Sequence, residues 1–162
     1  MNLHEISLSG GQLAGVMRAV LEKGARFRFR ARGFSMSPFI RDNDVLTLAP
    51  AGQRKPEVGD VAAAAHPLTG RVIVHRIVGR QRRGFIFKGD NCIEPDGIPG
   101  LTPILGVVCE VSRNGKTAWF AGGPEKRLIA FISRTGILNR VVLPVLRRLR
   151  RGIDPGMRLN NG

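Results

Sequence analysis

The sequence predicts a mainly β protein: a compact antiparallel barrel or folded sheet, with a short helix before it and a basic helical segment after it. Two observations carry this. The middle of the chain is a succession of short strand-like runs separated by Gly-, Pro- and Asn-rich turns, and the apolar spacing becomes helical only at the two ends. With 162 residues and 43% hydrophobic content, the chain can bury a core as one domain. The expected divisions are an amphipathic helix over 1–24, a β domain over 25–122 and a basic amphipathic helical tail over 123–162.

Leu13, Val16, Met17, Val20 and Leu21 repeat at helical spacing after Ser9-Gly10-Gly11, so Ser9 is the expected cap and Gly24 the expected stop. From Arg26 to Arg32 the period changes to two, with phenylalanines on one face and arginines on the other. That alternation favours burial of Phe27 and Phe29 over a stacking platform for nucleic acid. Further strands are expected over Asp44–Leu48, Asp60–Ala65, Arg71–Val78, Gly84–Lys88, Ile104–Ser112 and Lys116–Phe120. Asn114-Gly115 between the last two is a hairpin signal.

Beyond Gly122-Gly123-Pro124 a helical apolar series runs through Leu128, Ile129, Ile132, Leu138, Val141, Val142, Val145, Leu146 and Leu149, with Gly136 and Pro144 as expected breaks.

Net charge is +14, and nine Lys or Arg between Lys126 and Arg158 face one acid, Asp154. The cluster Arg147-Arg148-Leu149-Arg150-Arg151 suits a cationic helix lying on an anionic membrane; it equally suits a helix packed on the sheet with solvated arginines. Nucleic acid is not the expected partner. Cys92 and Cys109 fit no zinc spacing. Residues 1–9 lack the pattern of a signal peptide, and no uncharged stretch reaches the ~18 residues of a membrane span. The expected location is cytoplasmic or membrane-peripheral.

Three motifs carry chemistry. Ser35 lies in Gly33-Phe34-Ser35-Met36-Ser37-Pro38, His75 in Val72-Ile73-Val74-His75-Arg76-Ile77-Val78, and Lys88-Gly89-Asp90-Asn91 is followed by Asp96. A serine hydroxyl needs a neighbouring base to become a nucleophile, and imidazole titrates near ~6.5, close to working pH. A carboxylate on the other ring nitrogen fixes the tautomer and stabilises the imidazolium. His66 and His4 stand in no such motif.

These motifs, with Gly59-Asp60-Val61 between the first two, resemble the signal peptidase I superfamily in order and spacing, over about half of the chain from Phe29 to Val108. His75 stands where the common bacterial enzymes have lysine, so the chain resembles the Ser-His-Asp branch of archaea, the endoplasmic reticulum and some spore-forming bacteria. The resemblance implies Ser35 as nucleophile, His75 as base and Asp96 as the acid orienting it. Asp90 and Asn91 then support the site, and Met36 lines the cleft or packs in the core. It implies a signal-peptidase or LexA-like fold and a serine endopeptidase cutting leader or signal peptides, with the peptide extended beside a strand and small residues before the cut. It implies no metal or organic cofactor. Membrane signal peptidases carry a serine where this chain has Gly33, so backbone N–H groups from Ser35 to Ser37 would hold the oxyanion; LexA-type repressors also have glycine there. A base that is already histidine needs no lowering by burial, and implies activity that falls below about pH 6.

Two alternatives stay open. One is a LexA-like regulator that cleaves itself, at Ala14-Gly15 or Ala51-Gly52, or cleaves a partner; the other is a peptide-binding module without chemistry.

Overall fold

The computed structural model describes residues 10–66, 69–82, 84–96, 103–120, 122–136 and 144–145. Helix α1 (Gly10–Glu22) leads into β1 (Phe27–Arg30), β2 (Val45–Pro50), β3 (Val61–Ala65), β4 (Val72–Gln81), β5 (Gly84–Lys88), β6 (Ile104–Arg113) and β7 (Lys116–Thr117), and α2 (Lys126–Arg134) follows. All strand pairs are antiparallel, in the order β1-β2-β6-β3-β4-β5, with β7 paired to β6.

The seven strands form a sheet that does not close into a barrel, which corrects the barrel form of the expectation. β1 and β5 end the path and do not pair with each other. Strand count and turn chemistry are common to open and closed sheets, so they do not decide closure.

The sheet buries apolar side chains on both faces. β3 lies between β4 and β6 and is buried along its whole length. Val61, Ala63 and Ala65 join one cluster with Met17, Leu21, Met36, Leu46, Leu48 and Val111, whereas Ala62 and Ala64 join Ile77 and Phe87 on the other side. Alternation sends successive side chains to opposite faces. β1 keeps the predicted alternation: Phe27 and Phe29 pack on the first cluster and Arg28 and Arg30 are exposed. Helix α1 lays Met17 and Leu21 on the same cluster, with Leu13 packed against it, and Gly24 ends its turn at φ +78. Asn114 and Gly115 both take positive φ, the geometry of a two-residue hairpin turn.

Helix α2 departs from its expected apolar face. Ala130 and Ser133 are fully buried, while Leu128 and Phe131 are more than half exposed. The start of the helix sits so close to the turn before β3 that a Cβ on Gly59 would lie 2.7 Å from the Lys126 backbone. Close approach selects small inward residues, so the larger ones turn outward. Residues 1–9, the rest of the helical series and the arginine cluster 147–151 lie outside the described residues.

Candidate active site

Ser35 sits in the tight turn that follows β1. Ser37 N–H donates to the Phe34 carbonyl (3.1 Å) and Ile40 N–H to the Met36 carbonyl (3.0 Å), winding the chain around the hydroxyl. Gly33 enters this turn at φ +94, a conformation that side chains disfavour, and its N–H donates to Asp42 Oδ1 at 2.8 Å. The backbone thus has a use for glycine at this position. Met36 is buried in the core and also lines the cleft.

His75 lies in the first half of β4. Its Nε2 is 3.0 Å from Ser35 Oγ, and its Nδ1 is 2.5 Å from Asp96 Oδ2. Asp96 is held in place through its own N–H, which donates to the Phe87 carbonyl of β5 at 2.8 Å. Both side chains are largely but not wholly buried, at 13% and 18% exposure, so the line remains reachable from outside. The fold therefore brings together three residues separated by up to 61 positions. With the Nδ1 proton on the Asp96 side, Nε2 is free to accept the hydroxyl proton.

Asn91 and Asp90 hold this arrangement from two directions. Asn91 donates its N–H to the Ser35 carbonyl (2.7 Å) and its amide to the Phe34 carbonyl (3.2 Å), tying the second loop to the serine turn. Asp90 points the other way, into the core, and meets Arg76. Of the backbone donors expected to hold an oxyanion, that of Ser37 is already engaged with Phe34; those of Ser35 and Met36 are left for the role.

Three neighbours have roles that sequence reasoning did not assign. Arg76 is fully buried, and its guanidinium also bonds the Gly59 carbonyl (2.9 Å) and the Phe120 carbonyl (3.1 Å). Its signal was present, since a charge beside His75 in an apolar strand points opposite to it and demands a buried partner. Gly89 is packed so tightly that a Cβ would lie 2.6 Å from Cys92 Sγ, 2.7 Å from the Ser35 carbonyl oxygen and 3.2 Å from His75 Nε2. Lys88 is buried and donates at 2.6 Å to the Ser133 carbonyl, which also accepts from the Gly136 N–H (3.1 Å) at the end of α2. Burial pushes the Lys88 ammonium below its usual range, against the pull of Asp90 and Cys92. Burial likewise pushes the Cys92 thiol up, so it is a poor nucleophile beside the serine.

A cleft of about 290 Å³ runs from Ser35 and His75 between β1 and β4. Leu13 of α1, Phe29, Ala31, Met36, Ile40, Leu46, Val72 and Val74 give it an apolar lining. His66 lies apart at a turn, accepting from Thr69 N–H. Among the described residues, no His, Cys, Asp or Glu cluster is arranged to hold a metal, and no helix is long and apolar enough to cross a membrane. Compared with known proteins, the chain matches no family model, no curated protein and no solved structure.

Proposed function

We propose that this protein is a serine endopeptidase of the signal peptidase I type, and that its open sheet is a variant of that family's fold. One observation carries the reading: the line Ser35 Oγ, His75 Nε2, His75 Nδ1 and Asp96, with its two hydrogen bonds of 3.0 and 2.5 Å. In this reading Ser35 Oγ attacks the scissile carbonyl while its proton passes to His75 Nε2. Asp96 stabilises the imidazolium, and the N–H groups of Ser35 and Met36 receive the oxyanion. His75 returns the proton to the departing amine; water, deprotonated by His75, then releases the acyl group from Ser35.

The cleft supports an extended peptide as substrate. β1 is a sheet edge, and residues 72–75 of β4 pair with β3 on one side only, because β5 begins its pairing at Arg76. Both edges line the cleft beside Ser35, so a strand lying there gains main-chain hydrogen bonds. Small side chains just before the cut are what the resemblance to signal peptidases implies.

A peripheral position on an anionic membrane belongs to the same proposal: Leu128 and Phe131 face outward from α2, with Arg127 and Arg134 beside them. Self-cleavage is less favoured at Ala14-Gly15, since that bond lies inside α1 and would have to unwind to become an extended substrate.

Peptide-library cleavage by the wild type, Ser35→Ala and His75→Ala proteins tests the reading. Cuts made by the wild type alone support it; cuts that persist in Ser35→Ala overturn it. Asp96→Asn is expected to lose about 10³–10⁴-fold in kcat, through the wrong imidazole tautomer.

A further inference from the structure

The geometry points to a substrate that alternates apolar and acidic residues along the stretch seated in the cleft, with β1 reading both. The inference deepens the peptidase reading by naming the substrate class. It needs only the cleft, not the chemistry.

β1 and the segment after it present two faces to anything added at their edge. Phe27, Phe29 and Ala31 turn inward and pack on the core cluster, together with Val72 and Val74 of the opposite wall. Arg26, Arg28, Arg30 and Arg32 turn outward and are exposed. Arg30 and Arg32 line the same cleft as Ser35 and His75. Arg30 donates to the Asn43 carbonyl and Arg32 to the Asn43 side-chain oxygen, both neutral acceptors. These bonds steady the two guanidinium groups at the cleft.

A peptide strand paired to this edge lies about 4.8 Å away, and its side chains alternate between the same two faces. Its inward residues meet Leu13, Phe29, Val72 and Val74. Its outward residues stand opposite Arg28, Arg30 and Arg32, where a carboxylate is favoured and an ammonium repelled. Charged arginines on an open edge also discourage pairing with another copy of this chain. A negatively charged strand cancels that deterrent, so the row acts as a filter as well as an attraction.

The test uses Ser35→Ala protein and three sets of extended peptides with identical apolar spacing, carrying Glu, Gln or Lys at the alternate positions. Fluorescence anisotropy gives each affinity. The Glu set should bind roughly 2–5-fold more tightly per charge than the Gln set, and the Lys set more weakly than either. The preference should shrink from low salt to about 0.5 M.

In Arg28→Glu/Arg30→Glu the order should invert, and in Arg28→Gln/Arg30→Gln it should flatten. These exposed side chains face away from the core. Equal affinities for the three sets, an unchanged order in the reversed variant, or no binding by any set overturns the inference. So does a single-stranded oligonucleotide that binds more tightly than the Glu set and displaces it. If Ser35→Ala prefers the Glu set but the wild type cleaves none of the three, the chemistry fails and the docking stands. If the wild type cleaves all three sets without charge preference, the chemistry stands and the docking inference fails.

Discussion

Arg76 grips Asp90 side-on in the core: Nε lies 2.9 Å from Oδ1, Nη2 lies 2.8 Å from Oδ2, and both side chains are fully buried. Arg76 follows His75 on β4, and Asp90 precedes Asn91, which clamps the Ser35 turn. One ion pair therefore fixes the two chain segments that carry the base and the clamp. Removing one partner leaves an uncompensated buried charge, so Asp90→Leu or Arg76→Met alone should cost about 3–5 kcal/mol in urea unfolding. The double variant Arg76→Met/Asp90→Leu should recover part of that loss, because no charge is left stranded. The proposed peptidase activity should stay low in it, since the loop loses its tether.

Gly89→Ala tests the crowding at the site without altering charge. The added methyl meets Cys92 Sγ, the Ser35 carbonyl oxygen and His75 Nε2, and the carbonyl belongs to backbone that cannot rotate away. The variant should fold with a loss of about 1–3 kcal/mol, yet lose activity out of proportion to its stability. A second change, Cys92→Ala, relieves only the sulfur contact and should restore little.

Asp44 and Arg113 give a pH signature. Burial alone would raise the Asp44 carboxyl; the bonds from Arg113 (2.6 and 2.8 Å) and from the Arg41 N–H (2.8 Å) outweigh it and hold the group below its usual range. A depressed folded-state value stabilises the protein above the unfolded carboxylate value of ~3.9 and is lost as pH falls through the folded value. Arg113→Met should therefore cost about 2–3 kcal/mol at neutral pH. The gap from wild type should narrow below about pH 4, measured by urea unfolding across the range.

The outward face of α2 predicts binding to anionic vesicles. Leu128→Ser/Phe131→Ser should reduce sedimentation with phosphatidylserine-containing vesicles several-fold and leave binding to neutral vesicles, already low, unchanged. A deletion that tests the rest of the basic segment should begin after Gly136, because the Ser133 carbonyl accepts from Lys88 and Lys126 bonds Asp60 at 2.8 Å. Cutting earlier would take the Ser133 carbonyl from the buried Lys88 ammonium and leave Asp60 with Arg54 as its remaining cation.

Local pattern made much of this legible. The Phe-Arg alternation placed β1 with its aromatics inward, Asn114-Gly115 placed the last hairpin, and Gly24 placed the end of α1. The order of the three motifs pointed to Ser35, His75 and Asp96 meeting, and the structure sets them in one hydrogen-bonded line. Sheet closure was not legible, because it depends on which edges find each other. The alanines of β3 are legible as a strand, but their two-sided burial follows from packing against both core clusters. Arg76 and Asp90 are 14 positions apart, and only the β4–β5 hairpin aligns them. The inward turn of Ser133 depends on a lysine 45 residues away.

The most direct test is intact-mass analysis after exposure to a fluorophosphonate serine reagent. The wild type should gain one adduct, mapped to Ser35, while Ser35→Ala and His75→Ala gain none on the same timescale. Equal labelling of His75→Ala, or an adduct that persists in Ser35→Ala, would contradict an activated Ser35.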